Sequence, residues 1–345
     1  MELELISYIK KQVGASLNTL KPRGLVQGIG DDCAVINTDN SLLLTTDSMV
    51  EDVHFCLKWM PAAALGKKAA STSLSDIAAA GGCPKWALLN ISAPTGLGKS
   101  FWRHFIDGFV SRLTEFDTIL IGGDVTGSPG PISVAVTIIA ETCKKNYLQR
   151  SDIREKDLIF CSGSVGDASA GLYILQNKHS NSPHKRALYR KIRHYLPRFS
   201  IKRMISSLID PVPQVETGQL LASKRLRICA IDLSDGIATD LSHMLEGTGL
   251  CAQLFYSKLP ISRSLRQLAR ISNTSPERFA LYGGEDYKLL WTAPPEAASD
   301  LLTHITGITG QKPAIIGYIK KGSGIWLNKN GQYKQISYKG FEHIF

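Results

Sequence analysis

Gly28-Ile-Gly-Asp31-Asp32-Cys-Ala-Val-Ile36, followed by Leu42-Leu-Leu-Thr45-Thr46-Asp47-Ser-Met-Val-Glu51-Asp52-Val-His54, sets five acidic residues beside two apolar runs. Val35-Ile36 and Leu42-Leu44 read as strands, which places Asp31 and Asp47 at strand ends. Carboxylates crowded there repel one another, by about 4 kcal/mol for a close pair near a protein surface. A hard divalent cation offsets that repulsion, because Mg²⁺ takes oxygen ligands from one or two carboxylates together with substrate phosphates. The competing reading is a pair of turns rich in Asp and Gly, which need no metal. Recurrence of the same pattern further along the chain favours the cation.

Working outward, the Ala-rich stretch from Pro61 to Gly82 has Pro at its start and Gly-Gly at its end, the asymmetry of a helix with defined termini. Asp76 falls late in it, where an acid opposes the negative end of the helix dipole. A bound metal is one reason to keep it. Upstream, an amphipathic helix runs to about Lys11 and lacks the basic start of a signal peptide. Downstream, Trp86–Ser92 reads as a strand, Lys99–Phe116 as a helix, Thr118–Gly122 as a strand ending in Gly122-Gly123-Asp124, and Ile132–Glu141 as another strand. The polar segment Lys144–Asp152 is the candidate boundary. Beyond it come strand Asp157–Cys161, a Gly-Ser loop, helix Ala168–Asn177, a basic helical region, strand Arg227–Ile231 and a helix from Asp235. Further strands are expected near Cys251–Phe255, Tyr287–Thr292 and Pro313–Ile319. Strands and helices alternating in this way imply an α/β or α+β layered fold.

Two later blocks repeat the acidic design. In Ala230-Ile-Asp232-Leu-Ser234-Asp235-Gly236 a strand delivers Asp232, and Ser234 or Asp235 caps the next helix. Open sheets bind ligands at such strand ends, and the backbone N–H groups of a helix start suit a phosphate. Capping accounts for one of these residues, but not for Asp232 and Asp235 together with Asp240. In Leu281-Tyr-Gly283-Gly284-Glu285-Asp286-Tyr287 two acids again precede a strand. A rival motif, Ala93-Pro94-Thr-Gly-Leu-Gly98-Lys99-Ser100, approaches the P-loop pattern. Pro94 removes one N–H from such a cradle, so Ser100 as a helix cap is the preferred reading.

The 345 residues are enough for two domains, and 43% hydrophobic with 20% charged residues is ordinary for a globular protein. Net charge is +10, and Lys185 to Arg227 carries eleven Lys and Arg against only Asp210 and Glu216. That segment admits a nucleic-acid-binding reading, but no nucleic-acid motif accompanies it and a solvated helical face is preferred. Seven widely spread cysteines without Cys-x-x-Cys read as reduced thiols of a cytoplasmic protein, not as a disulfide or zinc framework. The longest apolar run, Val134–Ala140, is too short to span a bilayer.

Taken together these blocks resemble the thiamine-monophosphate kinase family. The resemblance is carried by Gly-Ile-Gly-Asp31-Asp-Cys-Ala, Thr45-Thr46-Asp47 with His54, Leu74-Ser-Asp76-Ile-Ala-Ala and Ile121-Gly-Gly123-Asp124. Later blocks are Gly163-x-x-Gly166-Asp-x-x-Ala-Gly171, Asp232-Leu-Ser234-Asp235-Gly, Gly283-Gly-Glu285-Asp-Tyr and Tyr338-Lys-Gly-Phe341-Glu-His. It implies a two-domain α/β (α+β) protein. Residues 1–145 would form an ATP-binding domain that pairs in a homodimer, and residues 150–345 an α/β domain completing the active-site cleft. It further implies that Asp31, Thr45, Thr46, Asp47, Asp76, Asp124, Asp232 and Asp235 hold several Mg²⁺ ions, with Asp47 and Asp124 the most critical. Gly123, Asp124, Arg150 and Ser234 would contact ATP, and His54, Glu285 and Phe341 would contact thiamine phosphate. Two departures stand out: Gln214 follows Pro211-Val-Pro213 where the family has Arg, and the basic stretch from Lys185 to Arg203 is longer than usual.

The implied reaction moves the γ-phosphoryl group of ATP onto a phosphate oxygen. A phosphate with a second pKa of about 6 is largely deprotonated near neutral pH, so no strong general base is required. The alternatives are another ATP-dependent member of the same superfamily, of cyclo-ligase or selenophosphate synthetase type, and, from a different class, nucleic-acid binding through the basic region. No cysteine precedes Cys33 to act as the reactive thiol of a selenophosphate synthetase.

Overall fold

The computed structural model describes residues 2–19, 24–27, 35–143, 146–224 and 226–337. Two units emerge: Met1–Ile77 with Gly81–Tyr147, and Ala78–Ala80 with Leu148–Phe345. In chain order the first part contains α1 (Glu2–Thr19), β1 (Leu25–Gln27), β2 (Val35–Ile36), β3 (Leu42–Val50), α2 (Ala62–Ala80), β4 (Gly82–Ala93), α3 (Lys99–Glu115), β5 (Ile119–Gly127) and β6 (Ser133–Thr142). Strands β3-β6-β4-β5 form one sheet, antiparallel except where β4 and β5 run together. Its inner face, with Val134, Val136, Ile138, Leu89 and Ile91, is buried, and the Ser73 hydroxyl of α2 donates to the Val136 carbonyl at 3.1 Å. The other face of β3 exposes Leu42 and Leu44, the latter at 65%.

Several expectations change here. β3 continues to Val50, so Asp47 stands in the strand interior opposite Val136, not at a strand end. β5 runs through Gly122-Gly123-Asp124 to Gly127 instead of stopping at the glycines, because β4 supplies a partner along that whole length. α1 extends to Thr19, well beyond Lys11. Gly98, not Ser100, is the N-cap residue of α3; Ser100 lies inside the helix with its hydroxyl 3.4 Å from His104 Nδ1.

The cysteine expectation is also corrected. Cys83 and Cys143 form a disulfide, while Cys56, Cys161, Cys229 and Cys251 are free among the described residues. Register explains the pairing: Gly82 and Cys83 of β4 lie opposite Thr142 and Glu141 of β6, which brings the two Cα atoms within 5.8 Å. Spacing along the chain carries no trace of it.

The second unit contains β7 (Leu158–Cys161), α4 (Asp167–Lys178), α5 (Pro183–Tyr195), α6 (Arg198–Ile209), α7 (Val215–Ser223), β8 (Cys229–Asp232), α8 (Ile237–Leu245), β9 (Leu250–Phe255), α9 (Arg263–Ile271), α10 (Pro276–Tyr282), β10 (Leu289–Ala293), α11 (Ala298–Thr309), β11 (Ala314–Lys321), β12 (Ile325–Lys329) and β13 (Gln332–Ile336). Its sheet runs β13-β12-β9-β11-β7-β10-β8 and is antiparallel except at β12–β9. Central strands are apolar on both faces, and Trp291 stacks on Phe160 at 5.3 Å. The β12–β13 hairpin escaped the sequence reading although Asn330-Gly331 marks it: both residues have positive φ (55° and 86°), as a type I′ turn demands. The basic stretch folds into α5 and α6, which bury Ile192, Met204 and Leu208 and turn their cations to solvent, the solvated face that was preferred. No described helix is long and apolar enough to cross a membrane.

The disulfide closes a span of 60 residues, for which chain-entropy arguments give up to about 4 kcal/mol. Cys83→Ser is expected to lower the thermal midpoint, and reductant to bring the wild type down to the variant's value; equal midpoints with and without reductant would refute the crosslink.

Candidate active site

In the first unit the inward face of β3 meets the last turns of α2. Thr45 Oγ1 donates to Asp76 Oδ2 at 2.5 Å. Asp47, two residues on and therefore on the same side of the pleat, is half-buried here. Its carboxyl is pushed up to about 6, first by burial and then by the Asp76 charge, with a Ser73 hydrogen bond acting in the opposite sense. An acid late in α2 is thus held by a hydroxyl and set against a second acid. All the donors are oxygens, two of them carboxylates in mutual repulsion, and that set fits Mg²⁺.

Asp124 belongs to a different row of the sheet. Asp47, Val136, Leu89 and Gly123 lie in register across four strands, and Ser48, Ala135, Asn90 and Asp124 form the next row. Side chains alternate along a strand, so Asp124 points to the face opposite Asp47, where Asn90 is exposed beside it. Thr126 Oγ1 donates to Asp124 Oδ2 at 3.0 Å. Thr46 shares that outer face and receives a 3.1 Å hydrogen bond from the Thr137 hydroxyl. Gly123 cannot be replaced by a larger residue: at φ +148° a Cβ would lie 1.9 Å from the Leu89 carbonyl oxygen. His54 sits in the turn after β3, its Nδ1 accepting the Val50 N–H at 3.0 Å. In the neutral ring this leaves the proton on Nε2.

In the second unit Asp232 ends β8 and is buried. The loop that follows is capped from within: Asp240, on the first turn of α8, accepts the N–H groups of Asp235 and Gly236 at 3.1 and 3.0 Å. This corrects the expected cap, since the N-cap residue is Gly236 and neither Ser234 nor Asp235 caps α8. Burial, then Asp232, then Asp235 push the Asp240 carboxyl up to about 8. Glu285 N–H donates to the Ser234 carbonyl at 2.7 Å, and Tyr287 N–H to that of Leu233 at 2.9 Å, so the second and third acidic blocks run side by side. Gly284 is forced by the same proximity, because a Cβ would come 2.2 Å from the Ser234 carbonyl oxygen. Glu285 itself has φ 66°. Arg150 is exposed and follows Gln149, which bridges to Cys229 along the edge of β8.

Asp31 and Phe341 lie outside the described residues. Among the described residues no group of three or more His, Cys, Asp or Glu is arranged to hold a metal. What each unit offers is a set of repelling carboxylates: Asp47 with Asp76, and Asp232 with Asp235 and Asp240. Sequence reasoning passed over Ser73, which answers Asp47. It counted Asp286 among the acids of the third block without giving it a role; the structure buries it, and it accepts the Gly166 and Ala168 N–H groups. Only its place beside Glu285 marked it.

Comparison with known proteins defines the class first. The model of the AIR synthase related protein, N-terminal domain, matches residues 30–142. The thiamine-monophosphate kinase of Aquifex aeolicus is 32% identical over 346 residues, 99% of this chain and 98% of that protein. Among solved structures, thiamine-monophosphate kinase from Stenotrophomonas maltophilia superposes with a TM-score of 0.80 at 29% identity, covering 95% of this chain and 97% of the other. AaThiL complexed with AMPPCP and TMP gives 0.74 at 28%, covering 96% of each chain. The chain belongs to the thiamine-monophosphate kinase family.

The Asp240 shift has a consequence for stability. Its folded pKa lies above its unfolded value, so the native state keeps a proton that the unfolded chain releases. Stability from this group is present below 3.8 and is lost as pH rises through about 8. In a chelator, Asp240→Asn is expected to flatten the decline in unfolding free energy between those limits, as read by denaturant titration; parallel wild-type and variant profiles would refute the buried charge.

Proposed function

We propose that this chain transfers the γ-phosphoryl group of ATP to thiamine monophosphate, giving thiamine diphosphate and ADP. The observation that carries the reading is the pairing of the half-buried Asp47 and Asp76 carboxylates on one face of the sheet, oxygen donors whose repulsion a bound cation relieves, in a chain that matches a thiamine-monophosphate kinase over nearly its full length. Mg²⁺, when bound, neutralises phosphate charge and holds the two anionic partners in line.

The chain's own residues divide the remaining work. Thr45, Asp47 and Asp76 hold metal on the inner face of the first sheet, Thr46 and Asp124 on its outer face, with Asp31 as a further ligand, and Asp232 and Asp235 hold it in the second unit. Gly123, Asp124, Arg150 and Ser234 take ATP; Gly123 lets the nucleotide approach the backbone, and the Arg150 guanidinium answers phosphate charge. His54, with its proton on Nε2, donates towards thiamine phosphate, Glu285 accepts from it, and Phe341 stacks on its cationic rings, a contact worth roughly 0.5–2 kcal/mol. No residue serves as general base, since the acceptor oxygen is already deprotonated. The reading also places the protein in the cytoplasm as a homodimer, with Leu42 and Leu44 on the uncovered face of the first sheet covered by a second copy.

ADP release coupled to thiamine monophosphate in Mg²⁺ is the direct test. Turnover is expected with that substrate and not with selenide or formylglycinamidine ribonucleotide; the reverse preference would overturn the assignment. Asp124→Asn and Asp47→Asn should each lose roughly 100-fold or more in kcat, the scale of removing one preorganised charge-stabilising group, with circular dichroism unchanged. Leu44→Glu should convert a dimer to a monomer in light scattering, and a wild-type monomer would contradict the pairing.

A further inference from the structure

The second unit carries another polar pocket, which rests on none of the residues assigned above. β10 lies between β7 and β8, so the segment leading into it has the Asp232 loop on one side and the loop after β7 on the other. On the β7 side opens a cavity of about 500 Å³ with the Asp167 carboxylate on its wall, lined otherwise in part by Ser162, Ser164, Arg203, Lys288, Gln311 and Lys312. These come from four places in the chain: the loop after β7, α6, the approach to β10 and the turn before β11. The end of a strand is where open sheets receive ligands, and the volume suits a small molecule.

The charges in this pocket do not close among themselves. Arg203 reaches Asp167 at 3.5 Å. Lys288 and Lys312 form no ion pair or hydrogen bond among the described residues. The nearby acids are already engaged: Asp167 accepts from the Ser262 hydroxyl at 2.6 Å, and Asp286 accepts the Gly166 and Ala168 N–H groups. Asp286 therefore occupies the Gly166 and Ala168 N–H groups at the start of α4, so the pocket does not draw on them, although Asp167 of that first turn lines it. Burial is the largest influence on Lys288 and lowers its pKa, outweighing the Asp286 and Asp167 charges that act the other way. Two cations without a direct ion pair, a guanidinium, two hydroxyls and a side-chain amide converge on one space, beside the Asp167 carboxylate that Arg203 holds. A tetrahedral dianion uses that many donors, and a single carboxylate does not.

We infer that this pocket binds the phosphate group of a small phosphorylated molecule, held by Lys288, Lys312 and Arg203 with Ser162, Ser164 and Gln311 completing its oxygens. It is a site apart from the acids that hold metal, and phosphate enters it without one.

The test uses the full chain in EDTA, so that the acidic centres hold no divalent cation. Calorimetric titration with inorganic phosphate, pyrophosphate and ribose 5-phosphate should give saturable binding of one equivalent, with citrate at least tenfold weaker. Lys312→Ala, at an exposed position that leaves folding intact, and Lys288→Met should each weaken binding tenfold or more. Lys191→Ala, an exposed cation of α5, should leave it unchanged. Absence of binding at millimolar phosphate and pyrophosphate, tighter binding of citrate, or equal loss in Lys191→Ala would overturn the inference.

Discussion

Repulsion between crowded carboxylates, half-buried in the first unit and mostly buried in the second, is the constraint around which the two units are built. In the first, Asp47 and Asp76 are drawn together by the packing of α2 on β3, and burial with proximity raises the Asp47 carboxyl to about 6. In the second, Asp232, Asp235 and Asp240 crowd the end of β8, and Asp240 rises to about 8. An apolar protein interior opposes charged groups, so such sets persist only where something else repays them. Hydroxyl and backbone donors answer part of the charge, through Thr45 in one unit and the N–H groups of Asp235 and Gly236 in the other. The remainder is what a bound cation supplies.

Glycine positions follow from that crowding. Gly123 brings the β5 backbone against Leu89, and Gly284 lets the third acidic block lie along the second at Ser234. Both act by removing a side chain, so that backbone and carboxylates can share a small volume. The same principle separates functions in the second sheet. The segment before β10 has the Asp232 loop on its β8 side and, on its β7 side, a pocket where Lys288 lies two residues from the buried Asp286.

Much of this was legible in the chain. Helix α2 with its Pro and Gly boundaries, the order of strands and helices in the first unit, and the recurring Gly and Asp blocks follow from local preference and spacing, whereas α9, α10, α11 and the β12–β13 hairpin were not read from it. Local signals failed where the partner lay elsewhere. Ser100 has a capping side chain, yet the turn geometry selects Gly98. Ser234 and Asp235 are good caps, yet Asp240 reaches back to satisfy the same N–H groups. The length of β3 and β5 depended on β6 and β4 offering partners, which no window of sequence reports.

By itself, then, the chain determined its residue chemistry: a family of acids recurring in Gly- and Asp-rich blocks, an α/β (α+β) layering, and an excess of cations in one helical stretch. Tertiary structure decided which of those residues meet. Pleat alternation sent Asp47 and Asp124 to opposite faces, sheet register joined Cys83 to Cys143, and strand order set Lys288 beside Arg203 and Lys312. Contact between residues tens to hundreds of positions apart is fixed by register and packing, and these are properties of the folded chain that no local sequence pattern contains.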